Sequence, residues 1–300
     1  MTTPAPFGRV LTAMVTPFTA DGELDLDAVA ALAIDLVDLG NDGLVVNGTT
    51  GESATTSDAE KDSVVRTVLD AVGDRAYVVA GTGTSDTRHT IELGAAAAKA
   101  GAHGVLVVTP YYNKPPQAGL LAHFTAVADA ADLPVMLYDI PGRTGVAIET
   151  QTLLRLADHR QIVAVKDAKG DLFATQQVLA ATDLAYYSGD DLLNLPLLAL
   201  GAVGVVSVTG HLVADRLAAM ITAYESGEVA LARDINAGLT PVTAAIMTRT
   251  QGVIAVKAAL DEQRRSEGGF LRAPLVRMDA EGVARLRIDL AAGGVPGFAA

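Results

Sequence analysis

The sequence predicts an α/β fold, namely a TIM (β/α)8 barrel followed by a C-terminal helical extension. Short apolar segments alternate with helical patterns and recur about every 20 to 30 residues, the length of one β-α unit. Eight such units are present, and eight is the number of strands in this barrel. The segments are continuously apolar rather than alternating, which is typical of a parallel sheet covered on both faces.

Each predicted strand is a short run of mostly apolar and β-branched residues, bounded by a helical pattern on either side. In chain order the strands are "VLTAMV" (10–15), "GLVV" (43–46), "YVVAG" (77–81), "GVLVV" (104–108), "PVMLYD" (134–139), "IVAVKD" (162–167), "LAYYSG" (184–189) and "VGVVSV" (203–208). The helices between them are predicted at 27–39, 57–72, 86–100, 117–131, 149–157, 171–181 and 190–200.

The alternative fold is an open doubly wound sheet. Such a sheet normally carries a glycine-rich phosphate-binding fingerprint in its first β-α turn, and that turn has none here. The segment "GTGTSD" (81–86) has the first two glycines, but Asp86 occupies the position of the third. We interpret Ser85 and Asp86 as the N-cap of the following helix, because both residue types accept hydrogen bonds from the first N–H groups of a helix.

Helical patterns continue after the eighth strand, near 211–226, 228–247, 251–265 and 281–291. We expect the first to be the last helix of the barrel, so the predicted domains are the barrel at 1–227 and the helical extension at 228–300. A loop with glycines and a proline, "SEGGFLRAP" (266–274), lies inside the extension. The uncharged stretch 192–210 is as long as a membrane span, but its proline and glycines favour a short helix and a buried strand.

Composition excludes several function classes. The formal net charge of −13 argues against a nucleic-acid surface, which needs a basic patch. The chain has no cysteine, so disulfides and thiolate metal sites are excluded, and the five histidines show no close pairing typical of zinc ligands. The N-terminus lacks a basic segment followed by an apolar run, so we expect no signal peptide and a cytoplasmic protein.

Lys166 stands at the end of the sixth apolar strand, and in a TIM barrel the C-terminal strand ends carry the active site. A lysine in a dry site has a lowered pKa and becomes a nucleophilic amine that can form a Schiff base with a ketone. The other interpretation is an ion pair with Asp167 or Asp171. Neighbours along a strand point to opposite faces, which places Asp167 poorly for such a pair.

Other strand ends also carry polar groups. After the second strand, "NGTTGES" (47–53) offers threonine hydroxyls and backbone N–H groups to a carboxylate, although it also suits a plain turn. Tyr138 ends the fifth strand, where its ring can pack while its hydroxyl relays protons. Arg143 follows in a turn and suits a carboxylate, but alone it also fits a surface arginine. Tyr111 and Tyr112 follow the fourth strand and are also compatible with ordinary packing.

Five segments together resemble the dihydrodipicolinate synthase family of pyruvate-dependent class I aldolases: "GTTGES", "TPYYNKP", "YDIPGRTG", "VKDAKGD" and "GVVSV". The resemblance covers nearly the whole chain, in order and spacing. It implies a catalytic barrel that condenses pyruvate with L-aspartate 4-semialdehyde in the diaminopimelate and lysine biosynthetic pathway. It also implies a homotetramer, built as a dimer of dimers, that needs no metal and no cofactor because the imine acts as the electron sink.

The resemblance assigns a role to each catalytic position. Lys166 forms the Schiff base with pyruvate, and Tyr138 beside it shuttles protons. Thr50 links Tyr138 to Tyr112 and completes a proton relay. In the family, the tyrosine that matches Tyr112 reaches a site across the subunit interface, and Tyr111 lies nearer to that interface.

The resemblance also assigns the substrate-binding positions. Thr49 and Thr50 hold the carboxylate of pyruvate through backbone and hydroxyl groups. Arg143 binds the carboxylate of the semialdehyde. Gly189 and Val206 line the pocket with backbone groups.

The chain departs from the family at one regulatory site, where four positions differ. Many bacterial members are inhibited by lysine that binds in a cleft between subunits, lined by histidines, an asparagine and a glutamate. The matching residues here are Asp58, Lys61, Ser85 and His89, whereas Ser53, Ala54 and Tyr111 are retained. We therefore expect lysine to inhibit weakly or not at all.

Two other functions are compatible with part of the pattern. Another aldolase of the same family, cleaving sialic acid or a 2-keto-3-deoxy sugar acid, would keep Lys166 and Tyr138. The sialic acid lyases usually have a serine-threonine pair in place of Thr49 and Thr50 and lack the arginine matching Arg143, whereas the sugar-acid aldolases are harder to separate. The other candidate is a barrel that binds keto acids without turnover.

Overall fold

The computed structural model describes residues 4–265 and 269–298 and confirms the predicted TIM barrel. All strands are parallel and pair in chain order, and the eighth returns to the first, so the sheet is closed. The strands are β1 (Val10–Ala13), β2 (Gly43–Val46), β3 (Tyr77–Gly81), β4 (Gly104–Val108), β5 (Val135–Asp139), β6 (Ile162–Asp167), β7 (Ala185–Ser188) and β8 (Gly204–Ser207). Their ends differ from the predicted ends by no more than two residues.

Helices follow the strands as predicted, with one addition, the short helix α5. The helices are α1 (Leu26–Asp38), α2 (Asp58–Val72), α3 (Thr87–Ala100), α4 (Gln117–Ala130), α5 (Pro141–Thr144), α6 (Thr150–Leu156), α7 (Leu172–Leu179), α8 (Asn194–Leu200), α9 (Gly210–Glu225), α10 (Val229–Met247), α11 (Gly252–Glu262) and α12 (Ala280–Ala292). Asp86 caps α3, because its side chain accepts from the backbone N–H of Arg88 at 2.9 Å, as the sequence predicts. Among the described residues, no helix has the length and apolarity needed to cross a bilayer.

The strands alternate between two apolar layers, one inside the barrel and one beneath the helices. Ala164 belongs to the interior layer, whereas Val165 packs in the outer layer. Side chains of a strand alternate between its faces, so Lys166, two residues after Ala164, points into the barrel. Tyr138 lies in the interior layer and is the Cα partner of Lys166 across β5 and β6.

The N-terminal end of the barrel is closed by Phe7 and Tyr187, which are both fully buried. The Tyr187 hydroxyl accepts from the backbone N–H of Phe7 at 3.2 Å and donates to the carbonyl of Gly8 at 3.0 Å. The barrel interior is therefore filled from this end, and space for a ligand is left at the opposite, C-terminal end.

Helices α10, α11 and α12 follow the barrel; α10 packs on α9, and the three helices pack on one another. Residues 266–268, at the start of the predicted loop 266–274, and residues 1–3 and 299–300 lie outside the described residues. The division into a barrel at 1–227 and an extension at 228–300 stays our proposal. α11 and the chain after it contact the loop that follows β2, so the extension reaches the C-terminal end of the barrel.

Candidate active site

Lys166 is buried at the C-terminal end of β6, with only 4% of its surface exposed. Its Nζ lies 4.2 Å from the centroid of the Tyr138 ring. Burial lowers the pKa of the amine to about 8, while the negative charge of Asp191 raises it and the positive charge of Arg143 lowers it. A pKa near 8 leaves about a tenth of the amine neutral at pH 7, which is enough for nucleophilic attack.

The ion-pair interpretation of Lys166 is wrong, because both candidate carboxylates are engaged elsewhere. Asp167 accepts from the backbone N–H of Lys169 at 2.8 Å and from the hydroxyl of Thr175. Asp171 caps α7 by accepting from the N–H of Ala174 at 3.0 Å. Asp167 also faces away from the interior, as the alternation along a strand predicts.

Gly189 lies against the Lys166 side chain, and Val206 lies on β8 in the interior layer of the barrel. A Cβ atom at Gly189 would lie 2.7 Å from Cγ and 3.0 Å from Cε of Lys166, so only glycine leaves room for the extended lysine chain. Val206 is fully buried in the interior layer, opposite Leu11. Gly189, just after β7, therefore borders the lysine side chain, and the role of Val206 in the pocket stays a prediction.

The Tyr138 phenol is also buried, and burial raises its pKa to about 12. The phenol is therefore protonated at neutral pH. The positive charge of Arg143 and a hydrogen bond with the Thr49 side chain lower this pKa, and the charge of Asp190 raises it. A protonated phenol beside an amine is a suitable proton donor.

The side chain of Thr49 interacts with the phenol and lowers its pKa, which favours Thr49 as the relay residue next to Tyr138, while the assignment of Thr50 stays a prediction. The physical reason is the path of the chain after β2. Asn47 has a φ of 56°, in the left-handed region, and the turn that follows brings Thr49 to the wall of the cavity above Tyr138. Thr50 is not among the residues of that wall.

A cavity of about 360 Å³ opens at this end of the barrel. Its walls include Thr49, Glu52, Tyr111, Tyr138, Arg143 and Gln251. The Tyr138 ring contacts both this cavity and the Lys166 amine, which is not itself part of the wall. A larger depression of about 440 Å³ lies between α10, α11 and α12, but it contains none of the predicted site residues.

Tyr112, a predicted site residue, does not line the cavity of its own chain. It is 92% exposed and has a φ of 74°, whereas its neighbour Tyr111 lines the cavity. Arg143 lies on α5, which is followed by Gly145 with a φ of 80°, and it borders the cavity, while its role in binding a carboxylate stays a prediction.

Sequence reasoning missed Asp191, whose charge acts directly on Lys166. This carboxylate is buried and accepts from the Ser207 hydroxyl at 2.6 Å and from the backbone N–H groups of Val208 and Thr209 at 2.9 and 2.8 Å. It thereby joins the ends of β7 and β8. The acidic pair in "SGDD" was the available signal. Among the described residues no three carboxylate or histidine side chains are grouped as a metal site requires.

An eight-stranded barrel with a buried lysine amine at the end of its sixth strand defines a Schiff-base-forming lyase or synthase of the class I aldolase type. The chain belongs to the dihydrodipicolinate synthetase family, whose sequence profile matches residues 6–292. It is 67% identical over 296 residues to the 4-hydroxy-tetrahydrodipicolinate synthase of Acidothermus cellulolyticus, covering 99% of this chain and 96% of that relative.

Solved structures agree with this assignment. The dihydrodipicolinate synthase of Cyanidioschyzon merolae, solved with lysine bound, superposes with a TM-score of 0.94 at 42% identity, over 97% of this chain and 99% of that one. A monomeric dihydrodipicolinate synthase variant superposes with a TM-score of 0.92 at 36% identity, over 97% of this chain and 98% of that one.

Proposed function

We propose that the protein acts as a 4-hydroxy-tetrahydrodipicolinate synthase, condensing pyruvate with L-aspartate 4-semialdehyde in diaminopimelate and lysine biosynthesis. The observation that carries the proposal is the desolvated Lys166 amine packed against the Tyr138 phenol. The relatives named above carry this activity in their names. The same resemblance supports a cytoplasmic location.

In the first step the neutral Lys166 amine attacks the keto carbon of pyruvate. Loss of water from the resulting carbinolamine gives an imine, and Tyr138 donates the proton that the leaving hydroxyl requires. Thr49 and Thr50 hold the pyruvate carboxylate in this step. The burial of Lys166 supports the step, because it keeps part of the amine unprotonated near neutral pH.

In the second step the imine loses a proton from the pyruvate methyl carbon and becomes an enamine. The enamine carbon attacks the aldehyde carbon of the semialdehyde, and the aldehyde oxygen takes up a proton through Tyr138. The amino group of the semialdehyde then attacks the imine carbon and closes the ring. The bond to Lys166 breaks, and the amine is regenerated.

Arg143 supports the semialdehyde as second substrate rather than a sugar acid. Its guanidinium borders the cavity and is suited to a carboxylate through paired N–H donors. The semialdehyde presents such a carboxylate. We propose that the backbone groups of Gly189 and Val206 complete the pocket around pyruvate.

We propose further that the protein is a homotetramer, a dimer of dimers, in which Tyr112 completes the relay of a partner subunit. A tyrosine that is 92% exposed in the isolated chain fits this role. Phe173 and Leu192, which are 70% and 55% exposed, offer an apolar surface for a second contact. A monomeric variant exists among the structural relatives, so the fold alone does not fix the assembly. Sedimentation velocity should show a tetramer, and a purely monomeric active enzyme would contradict the proposal.

Borohydride reduction in the presence of pyruvate tests the proposed function directly. We expect the mass of one reduced pyruvate on the peptide that carries Lys166, and none in Lys166→Met. A coupled assay with a downstream reductase should then show turnover with the semialdehyde, against a panel of 2-keto acid substrates that includes sialic acid. An unmodified Lys166 peptide would contradict the chemistry. Pyruvate binding without turnover would instead indicate a keto-acid-binding barrel.

A further inference from the structure

A second buried lysine joins the C-terminal extension to the active-site loop. Lys257 on α11 donates from Nζ to Oε1 of Glu52 at 2.5 Å, and the two side chains are 2% and 1% exposed. The partners are 205 residues apart in the sequence. Glu52 lies on the segment between β2 and α2, which we call the β2 loop (residues 47–57) and which carries Thr49.

Both oxygens of Glu52 are held by the extension. The second oxygen, Oε2, accepts from the backbone N–H of Arg272 at 3.0 Å. Lys257 also donates to the carbonyl of Phe270 at 2.7 Å, and its Nζ lies 4.4 Å above the centroid of the Phe18 ring. The carboxylate therefore has a single well-defined position, set by α11 and by the chain after it.

Arg272 makes a second connection to the same loop. Its guanidinium donates to the carbonyl of Thr55 at 2.9 Å and forms two hydrogen bonds to the carboxylate of Glu60, at 3.0 and 2.5 Å. Glu60 in turn forms the capping box of α2 with Ser57. The extension thus holds the β2 loop at its middle and at its junction with α2.

The loop needs such support because its backbone is strained. Asn47 and Glu52 both have a φ of 56°, a conformation that asparagine adopts more readily than most residues but that glutamate adopts rarely and at an energetic cost. The backbone N–H of Glu52 donates to the carbonyl of Thr49 at 3.2 Å. A displacement of Glu52 is therefore transmitted over one hydrogen bond to the residue that contacts the Tyr138 phenol.

Stability alone does not explain the ion pair. Replacing a buried ion pair by well-packed apolar residues is often neutral or stabilising. What the charged pair supplies is a fixed location for the carboxylate, with each oxygen assigned to one donor.

We propose that Lys257 and Glu52 are positioning residues, through which the C-terminal extension holds the β2 loop and Thr49 against Tyr138. The inference rests on the proposed roles of Thr49 and Tyr138 in imine formation. Neither Lys257 nor Glu52 takes part in a bond-making step.

A double-mutant cycle tests the proposal, with the rate of borohydride-trapped imine formation and the KM for pyruvate as readouts. Lys257→Met should slow imine formation and raise KM by a combined factor of about 10 to 100, as expected for a misplaced catalytic group. In the Thr49→Val background, Lys257→Met should change the imine rate and KM by a further factor of less than about three, because the contact that it disturbs is already lost. Its effect on the melting temperature should be the same in both backgrounds.

Val242→Ala is the matched control for general destabilisation. Val242 is fully buried in α10 of the same extension, so its truncation lowers the melting temperature while the β2 loop keeps its contacts. We expect its KM for pyruvate to stay at the wild-type value. A wild-type KM in Lys257→Met, or an equal loss in both Thr49 backgrounds, would overturn the proposal.

Glu52→Gln keeps the shape of the side chain and serves if Lys257→Met does not fold. It should change KM and the imine rate in the same direction by a smaller factor, and unchanged values would overturn the proposal. If wild-type protein gives no pyruvate adduct, the proposed function fails rather than this inference.

Discussion

Burial and the contact with the Tyr138 ring decide the chemistry of Lys166. An amine in water would be almost fully protonated at neutral pH, whereas burial brings the pKa of Lys166 to about 8. Two charges act on it in opposite directions, Asp191 raising the pKa and Arg143 lowering it. Lys166 is thus reactive because β6 ends in a buried position, and the charges of Asp191 and Arg143 adjust the pKa of its amine.

We predict that imine formation with pyruvate alone rises with pH through an apparent pKa of about 8. From pH 7 to pH 8 the trapped rate should increase about fivefold, because the neutral fraction of the amine rises from about one tenth to one half. Arg143→Met should move this rise to higher pH, because the substitution removes a positive charge that lowers the pKa of Lys166. Borohydride trapping at several pH values measures the apparent pKa in the wild type and in the variant. An apparent pKa that the substitution leaves unchanged would contradict the electrostatic account.

The adjacent threonines give a second, internally controlled prediction. Thr49→Val removes the hydrogen bond to the phenol and should lower kcat by about 100-fold, as loss of assisted proton transfer does. Thr50→Val should act on the KM for pyruvate alone. Steady-state kinetics of the two variants distinguish the two residues, and the reverse pattern would show that Thr50 is the relay residue.

Sequence reasoning located Lys166, Tyr138 and Arg143 because each stands at or just after the end of an apolar strand. It could not separate Thr49 from Thr50, because two identical residues in a turn differ only in backbone direction. That direction depends on the left-handed conformations of Asn47 and Glu52; asparagine favours this conformation only weakly, and glutamate carries no sequence signal for it.

At the scale of elements, continuous burial made the strands predictable. Both faces of each strand are covered, so all eight are apolar runs that differ sharply from the helices between them. Helix α5 was missed because its four residues, Pro141–Thr144, are too few to show a helical period. The contact between α11 and the β2 loop was also missed, since pairing over such a separation leaves no local pattern.

Residues in the first turns of α2 and α3 match the lysine-binding cleft of the family, and their contacts predict how lysine affects the activity. His89 pairs with Asp58 at 3.0 Å, and the half-buried amine of Lys61 donates to the carbonyl of Thr56. A cleft that already contains the cation of Lys61 is a poor site for a second ammonium group.

We therefore predict that submillimolar lysine leaves the activity unchanged, as an inhibition curve would show. Half-maximal inhibition in that range would refute this. The combined variant Asp58→His, Lys61→His, Ser85→Asn and His89→Glu introduces the residue types of the sensitive relatives and should gain inhibition.

At the scale of the whole molecule, a buried histidine links the segments that follow the first and last strands of the closed barrel. His211, at the start of α9, donates from Nδ1 to the carbonyl of Val208 at 2.8 Å and accepts at Nε2 from the N–H of Val15 at 3.1 Å. It thereby ties the end of β8 to the segment after β1, where the first and last strands meet. Burial lowers its pKa to about 4, so the ring is neutral in the folded protein.

This histidine should make the fold sensitive to acid. Between pH 6.5 and 4 the unfolded chain binds a proton at position 211 that the folded chain does not, so the free energy of unfolding falls as the pH falls. The loss is about 3 kcal/mol across that range. Urea unfolding at several pH values measures it. His211→Gln should flatten the slope, whereas Val242→Ala should lower stability equally at every pH, and identical slopes in all three proteins would contradict the prediction.

Phe7 and Tyr187 close the N-terminal end of the barrel beneath the site, so the barrel is open only at its C-terminal end. Both substrates and the product must pass through the same opening, at the C-terminal end of the barrel. The shape of the barrel therefore favours one order of substrate binding. We therefore expect pyruvate to bind and form the imine first, and the semialdehyde to bind second, between the covalent intermediate and the solvent.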